Sequence, residues 1–132
     1  MKSRSGVAIA MLASMAIGAA AVEALHAQAK PPVYFIGQIE VTDREGYAKE
    51  YLPKAREIIK EHGGQLVASG GAGSDNPIIA VDGEPPKRVV IYRYPNVDAV
   101  HAWRTDPAYE KVRKVGEEFA KYHTFAVVGV PQ

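Results

Sequence analysis

From residue 33 onward the chain switches between two hydrophobic periods. Val33 to Val41 (VYFIGQIEV) is β-branched and aromatic. From Phe35 it alternates, with Phe35, Gly37, Ile39 and Val41 toward one face and Ile36, Gln38 and Glu40 toward the other. That period of two predicts a strand. Thr42 at the N-cap and Glu45 three residues later form a capping box and predict a helix start. Tyr47, Tyr51, Ala55, Ile58, Ile59 and His62 then recur at helical spacing and predict one buried face. Pro53 interrupts this run and cannot donate back to residue 49, so the helix should kink or split there. Gly63-Gly64 supplies a glycine stop.

The second half repeats the theme. Gln65 to Ser69 (QLVAS) predicts a strand, Gly70 to Asn76 is turn-rich, and Pro77 to Val81 reads as an extension or restart of that strand. Asp82-Gly83 is a hairpin-type turn. Lys87 to Tyr94 (KRVVIYRY) is the most strongly β-like segment, stopped by Tyr94-Pro95-Asn96. Asn96 should cap a short helix, Val97 to Trp103. Asp106-Pro107 should open another, reaching about Lys121, with Tyr109, Val112, Val115 and Phe119 buried. Tyr122 to Val130 predicts the last strand. The order strand, helix, strand, strand, helix, strand predicts an α+β domain: a ferredoxin-like βαββαβ sandwich with a four-stranded antiparallel sheet and helices on one face. The outward strand residues include Val, Ile and Tyr, so the other sheet face should be buried against a second copy, giving a dimeric α/β barrel.

The stretch before residue 33 follows a different pattern. Lys2 and Arg4 form a basic start, Gly6 to Val22 is apolar and uncharged, and Ala27-Gln28-Ala29 is a small-x-small cleavage pattern. We read residues 1–29 as a signal peptide cut after Ala29, and residues 30–132 as the mature domain, periplasmic or secreted. The apolar run is shorter than the ~20 residues of a bilayer span, so no stable membrane span is expected after cleavage. An uncleaved anchor is the alternative. Removing Lys2, Arg4 and Glu23 from 16 basic and 15 acidic residues leaves 14 of each. A neutral mature domain gives no attraction for nucleic acid or an anionic membrane. The absence of cysteine excludes disulfides, thiolate nucleophiles and sulfur-ligated metals.

Several segments together resemble one family: VTDREGYAKEY after the first strand, HGGQLVASGG, PPKRVVIYRYPNVDAVHAW, DPAYEKV and a valine-rich final strand. They are similar to the domain-of-unknown-function 1330 (DUF1330) family of the dimeric α/β-barrel superfamily, over essentially residues 33–130. The resemblance is sharpest at Tyr47, Gly63-Gly64, Gly70-Gly71, Arg88, Tyr94-Pro95 and Tyr109. It implies a homodimer with a cleft between sheet and helices. The superfamily includes monooxygenases, isomerases and haem enzymes, so fold does not fix function. This chain departs from the family in its export signal and in extra residues between Gly71 and Glu84.

The candidate chemistry lies on few residues. Arg88, at the start of a strand, suits a carboxylate or enolate, or else pairs with Glu84. His62, at a helix C-terminus, is a proton-transfer candidate or a packing residue. Tyr47, Trp103 and Tyr109 present polar groups on faces directed at the sheet and suit a planar ligand; Tyr51 reads as core. His101 and His123 have no partners at metal-ligand spacing. Zinc and haem patterns are absent, so no metal and no cofactor are expected. The leading expectation is a homodimer binding a small organic ligand, with His62, Arg88 and Tyr109 catalytic and Tyr47, Trp103 and Arg88 holding the ligand. Cofactor-free oxygenase or isomerase chemistry would follow. The alternative is a non-catalytic binding or accessory module whose pocket is closed and filled by its own side chains.

Overall fold

A computed structural model describes residues 30–132 of the chain. The signal peptide expected over residues 1–29 lies outside them. Strand β1 (Val33–Val41) leads into a short helical turn α1 (Arg44–Gly46), a π-helical turn (Tyr47–Tyr51) and helix α2 (Leu52–Glu61). Strands β2 (Gln65–Gly71) and β3 (Arg88–Tyr94), helices α3 (Val97–Thr105) and α4 (Pro107–Glu117), and strand β4 (Ala120–Val128) follow. The sheet order is β2-β3-β1-β4, with every neighbouring pair antiparallel. This is the ferredoxin-like arrangement that the sequence predicts. No described helix is long and apolar enough to cross a membrane.

The first helix departs from expectation at its N-terminus. Its N-cap is Asp43, whose carboxylate accepts from the Gly46 amide at 3.1 Å. Thr42 still belongs to the sheet edge, its amide donating to the Phe119 carbonyl at 2.8 Å and prolonging the β1–β4 contact, so the helix starts one residue later than the capping box predicts. The split at Pro53 is present and takes the form of the π turn. Pro53 has no N–H for the residue-49 carbonyl, so the chain widens by one residue. The Leu52 amide reaches back to the Tyr47 carbonyl, and Pro53 falls in the first turn of the resumed helix. Gly63, at φ +83°, ends α2 with amides of Gly63 and Gly64 returning to Lys60 and Ile59.

Other boundaries differ as well. Pro77 to Val81 forms no strand, and Ile79 and Val81 are exposed in a loop over 72–87. Pro77, Pro85 and Pro86 each lack a ladder donor. Helix α4 stops at Glu117, because the Phe119 amide folds back to Gly116 and Ala120 is already paired with Val41 in the sheet. Its buried face is Tyr109, Val112 and Gly116; Val115 and Phe119 are half-buried.

The core lies between the helices and one sheet face and is dominated by aromatic rings, including Tyr47, Tyr51, Tyr94, Trp103 and Tyr109. On the opposite face, register places Ile36 between Ile91 and Phe125, and Tyr34 beside Val127. Phe125 and Val127 are 42% and 51% exposed in the single chain, so this face is uncovered there.

Candidate functional site

The sheet contributes a floor with a gap in it. Gly37, in the middle of β1, has no side chain; a Cβ there would lie 3.0 Å from Val90 Cγ2. The π turn and α2 form one wall, and α3 and α4 the other. Between them is a cavity of about 60 Å³, lined by Tyr47, Tyr51, Trp103, Tyr109 and Tyr122 among others. Four arginines, Arg56, Arg88, Arg104 and Arg113, also line it, and no described carboxylate or histidine does. A larger cleft of about 450 Å³ adjoins it, and Ile39, Tyr47, Leu52, Arg56 and Arg88 line both spaces. Arg44 and Lys87 complete the basic rim of this outer cleft.

The aromatic wall is tightly coupled. The Tyr51 and Tyr109 hydroxyls share a hydrogen bond of 2.9 Å. The Tyr47 and Tyr51 rings are 5.0 Å apart, Tyr51 and Tyr122 5.8 Å, and Trp103 and Tyr109 4.6 Å. Burial disfavours phenolate, so it pushes Tyr47 up to about 12 against the opposing pull of Arg88. It raises Tyr51, Tyr92, Tyr94, Tyr109 and Tyr122 as well. At neutral pH these phenols are uncharged and present O–H donors.

Arg88 leaves β3 at its first residue, with its guanidinium 5.4 Å from the centre of the Tyr47 ring. It forms no ion pair with Glu84 or any other described carboxylate, and its buried Nε has no hydrogen-bond partner. Gly73 keeps the space beside it open: a Cβ there would lie 3.4 Å from Arg88 Nη1. Trp103 is 1% exposed, and its Nε1 is a second buried donor without a partner. The Tyr122 hydroxyl is a third. Unmet buried donors cost about 1–3 kcal/mol each, so a cavity lined by three of them favours an acceptor.

The structure thus brings Tyr47, Arg88, Trp103 and Tyr109 to one cavity, and places His62 elsewhere. His62 Nε2 lies 2.8 Å from Asp106 Oδ2, joining the end of α2 to the N-cap of α4, and it does not line the cavity. His101 and His123 are exposed. Among the described residues no cluster of three His, Cys, Asp or Glu side chains could hold a metal.

Sequence reasoning passed over Tyr122, Arg104, Arg113 and Gly116. Arg113 lies 3.6 Å above the Tyr122 ring and pairs with Glu117. Arg104 lies 5.3 Å from Tyr109. Gly116 admits the Tyr51 ring and the Tyr122 hydroxyl to the helix backbone; a Cβ would clash with both. A glycine spaced seven residues from Tyr109 on an otherwise apolar helical face was the available signal.

The family model for the domain of unknown function DUF1330 matches residues 32–130. The chain belongs to the DUF1330 family. Its ferredoxin-like α+β fold is shared with solved structures. It is similar to a protein of unknown function from Rhodopseudomonas palustris, at 19% identity and a TM-score of 0.58, covering 85% of this chain and 93% of that one. It is also similar to SnoaB, a cofactor-independent oxygenase from Streptomyces nogalater, at 10% identity and a TM-score of 0.54, covering 77% and 96%. A third likeness is to a Bacteroides thetaiotaomicron protein described as a possible oxidoreductase, at 12% identity and a TM-score of 0.50, covering 76% and 100%. At these identities the likeness establishes the fold alone. No functionally curated protein matches the sequence. Within this DUF1330 chain, Tyr47, Arg88 and Tyr109 line the same cavity, although 62 positions separate the first from the last.

Proposed function

We propose that this DUF1330 protein is an exported homodimer that binds a small organic anion in the cleft between sheet and helices. It acts on that ligand by cofactor-free oxygenase or isomerase-type chemistry. The observation that carries the reading is Arg88, a half-buried cation with no described carboxylate partner, standing where the inner cavity meets the outer cleft. In a partly desolvated site a guanidinium holds a carboxylate or enolate strongly. Tyr47 and Tyr109 would orient the ligand by their neutral hydroxyls and rings, with Trp103 as an apolar wall carrying a free N–H. The likeness to a cofactor-independent oxygenase supports this chemistry by analogy of fold.

A thermal-shift screen of small carboxylates and phenols tests the binding. The melting temperature should rise with at least one class, and the rise should disappear in Arg88→Ala and shrink in Tyr109→Phe. Equal shifts in all three proteins would remove the site assignment. Dimerisation has its own test. The sheet face that carries half-buried Ile36 and Ile91 and exposed Phe125 and Val127 is the proposed contact, so Phe125→Asp should convert a dimeric sedimentation mass at micromolar concentration to a monomeric one.

The second reading is a non-catalytic accessory module. The mutual Tyr51–Tyr109 hydrogen bond and the small inner cavity favour it, since these hydroxyls satisfy each other and the room beside them holds little more than ordered water.

A further inference from the structure

The inner cavity and outer cleft are lined by cations and neutral donors, with no described group suited to accept a proton at neutral pH. The cations come from every side. Arg44 and Arg56 project from the first helical segments, Lys87 and Arg88 from the start of β3, and Arg104 and Arg113 from α3 and α4. Two of these six are already paired, Lys87 with Glu40 at 2.9 Å and Arg113 with Glu117 at 3.2 Å. Arg44, Arg56, Arg88 and Arg104 have no described carboxylate within ion-pair distance. The protein as a whole is nearly neutral, so this concentration of positive charge is local. The nearest candidate base from the sequence, His62, is held by Asp106 outside both spaces.

Resting on the reading of the cleft as a small-anion site, we infer that the protein selects ligands that are themselves acidic, binding an enol or phenol as its oxyanion and releasing the ligand's proton to solvent. The cleft supplies the driving force through its cations. An opposite charge within about 4–6 Å lowers an acid's pKa by about 1–3 units. Three buried polar atoms of cavity-lining residues, Arg88 Nε, Trp103 Nε1 and the Tyr122 hydroxyl, have no hydrogen-bond partner among the described residues, and an oxyanion is an acceptor alone. The dimensions agree. The inner cavity of about 60 Å³ admits an oxygen substituent, and the adjoining 450 Å³ cleft has room for the ring or chain that carries it. Tyrosines held neutral by burial serve this design, since a phenolate lining the same cavity would repel the ligand. The balance is simple: the ligand loses one proton to water, and no bond to the protein forms. A conjugated oxyanion is also the electron-rich form that isomerisation or reaction with molecular oxygen requires, so selecting it is a chemical step in itself.

The test uses phenols graded in acidity, from unsubstituted phenol to 4-nitrophenol, titrated into the protein across the pH range in which each ionises. The visible phenolate band of 4-nitrophenol reports its ionisation directly. Binding should lower that phenol's apparent pKa, so that the bound ligand is at least tenfold more ionised at a given pH below its own pKa. Dissociation constants across the series should follow the ionised fraction of each phenol. Arg88→Gln should abolish the lowered pKa. Arg56→Gln, at an exposed position less prone to disturb folding, should reduce it, with circular dichroism confirming that both variants are folded. Saturable binding that is equally tight for neutral and ionised phenol, with no change in the band, would overturn this inference while leaving the cleft a ligand site. No saturable binding of any phenol or carboxylate would overturn the cleft reading and this inference with it.

Discussion

The hydroxyls of Tyr51 and Tyr109, 58 positions apart in sequence, meet at 2.9 Å in the interior and tie the π turn to helix α4. Each phenol is the other's hydrogen-bond partner in a region where water has little access. Tyr109→Phe should therefore strand the Tyr51 hydroxyl and cost about 1–3 kcal/mol of unfolding free energy. The double variant Tyr51→Phe/Tyr109→Phe should cost less than the sum of the single changes, because it leaves no orphan. Urea unfolding of the four proteins measures the coupling, and strict additivity would show that the contact contributes nothing.

Gly116 makes room for that pair. An exposed glycine in a helix interior normally gains up to about 1 kcal/mol on substitution by alanine. Here a Cβ would lie 2.6 Å from Tyr51 Cδ2 and would also press on the Tyr122 hydroxyl. Gly116→Ala should instead destabilise the protein by about 1–3 kcal/mol, the range for overpacking a filled core. A rise in melting temperature would show that α4 can move away from the sheet.

The buried tyrosines set the alkaline limit of the fold. Tyr47 titrates near 12 in the folded protein, raised chiefly by burial, against about 10 for an exposed phenol. A raised folded value contributes stability that is complete below pH about 10 and is lost as pH climbs through the folded value. The near-ultraviolet phenolate band should therefore appear late and cooperatively with loss of helical circular dichroism. Smooth ionisation of all tyrosines near pH 10 with the fold intact would contradict the burial.

The acid limit includes Asp106, whose carboxyl is held below its ordinary range by the hydrogen bond from His62 and by the Ala108 amide it caps. A lowered folded value contributes stability that is present above the unfolded pKa and is lost as pH falls through the folded one. Asp106→Asn should flatten the decline of melting temperature below pH about 4, where free aspartate protonates. An unchanged slope would assign the decline to other carboxylates.

Much of this fold was legible from local rules. The period of two in β1, the Asp106-Pro107 helix start and the Gly63-Gly64 stop each act over a few residues, and each is found where the sequence places it. Tyr47, Trp103 and Tyr109 were legible as a group because each carries a polar group on a face turned toward the core, and Arg88 because it is a cation at the start of a strand. The rest depends on register. Tyr122 joins the cavity only because β4 pairs with β1 so that Ile39 faces Tyr122. Arg104 and Arg113 arrive from two helices whose relative placement no local spacing encodes. The loop over 72–87 shows the converse error: Pro77 to Val81 has strand composition but no ladder partner. His62 was placed on the correct helix face, yet one turn too far along to reach the cavity.

The π turn over Tyr47–Tyr51 gives the helix one residue more than its length requires. Each residue advances an α-helix by about 100°, so the surplus one acts as a phase shift between the two halves of the segment. Downstream, Ala55, Ile58 and Ile59 keep the angular setting that docks α2 on the sheet. Upstream, Tyr47 and Tyr51 are turned independently of it, and both become buried. Both halves end on one wall of the inner cavity, Tyr47 and Tyr51 from the π turn and Ala55 and Ile59 from α2. Shortening the chain by one residue between Tyr47 and Leu52 would re-index Tyr47 against the rest of that wall.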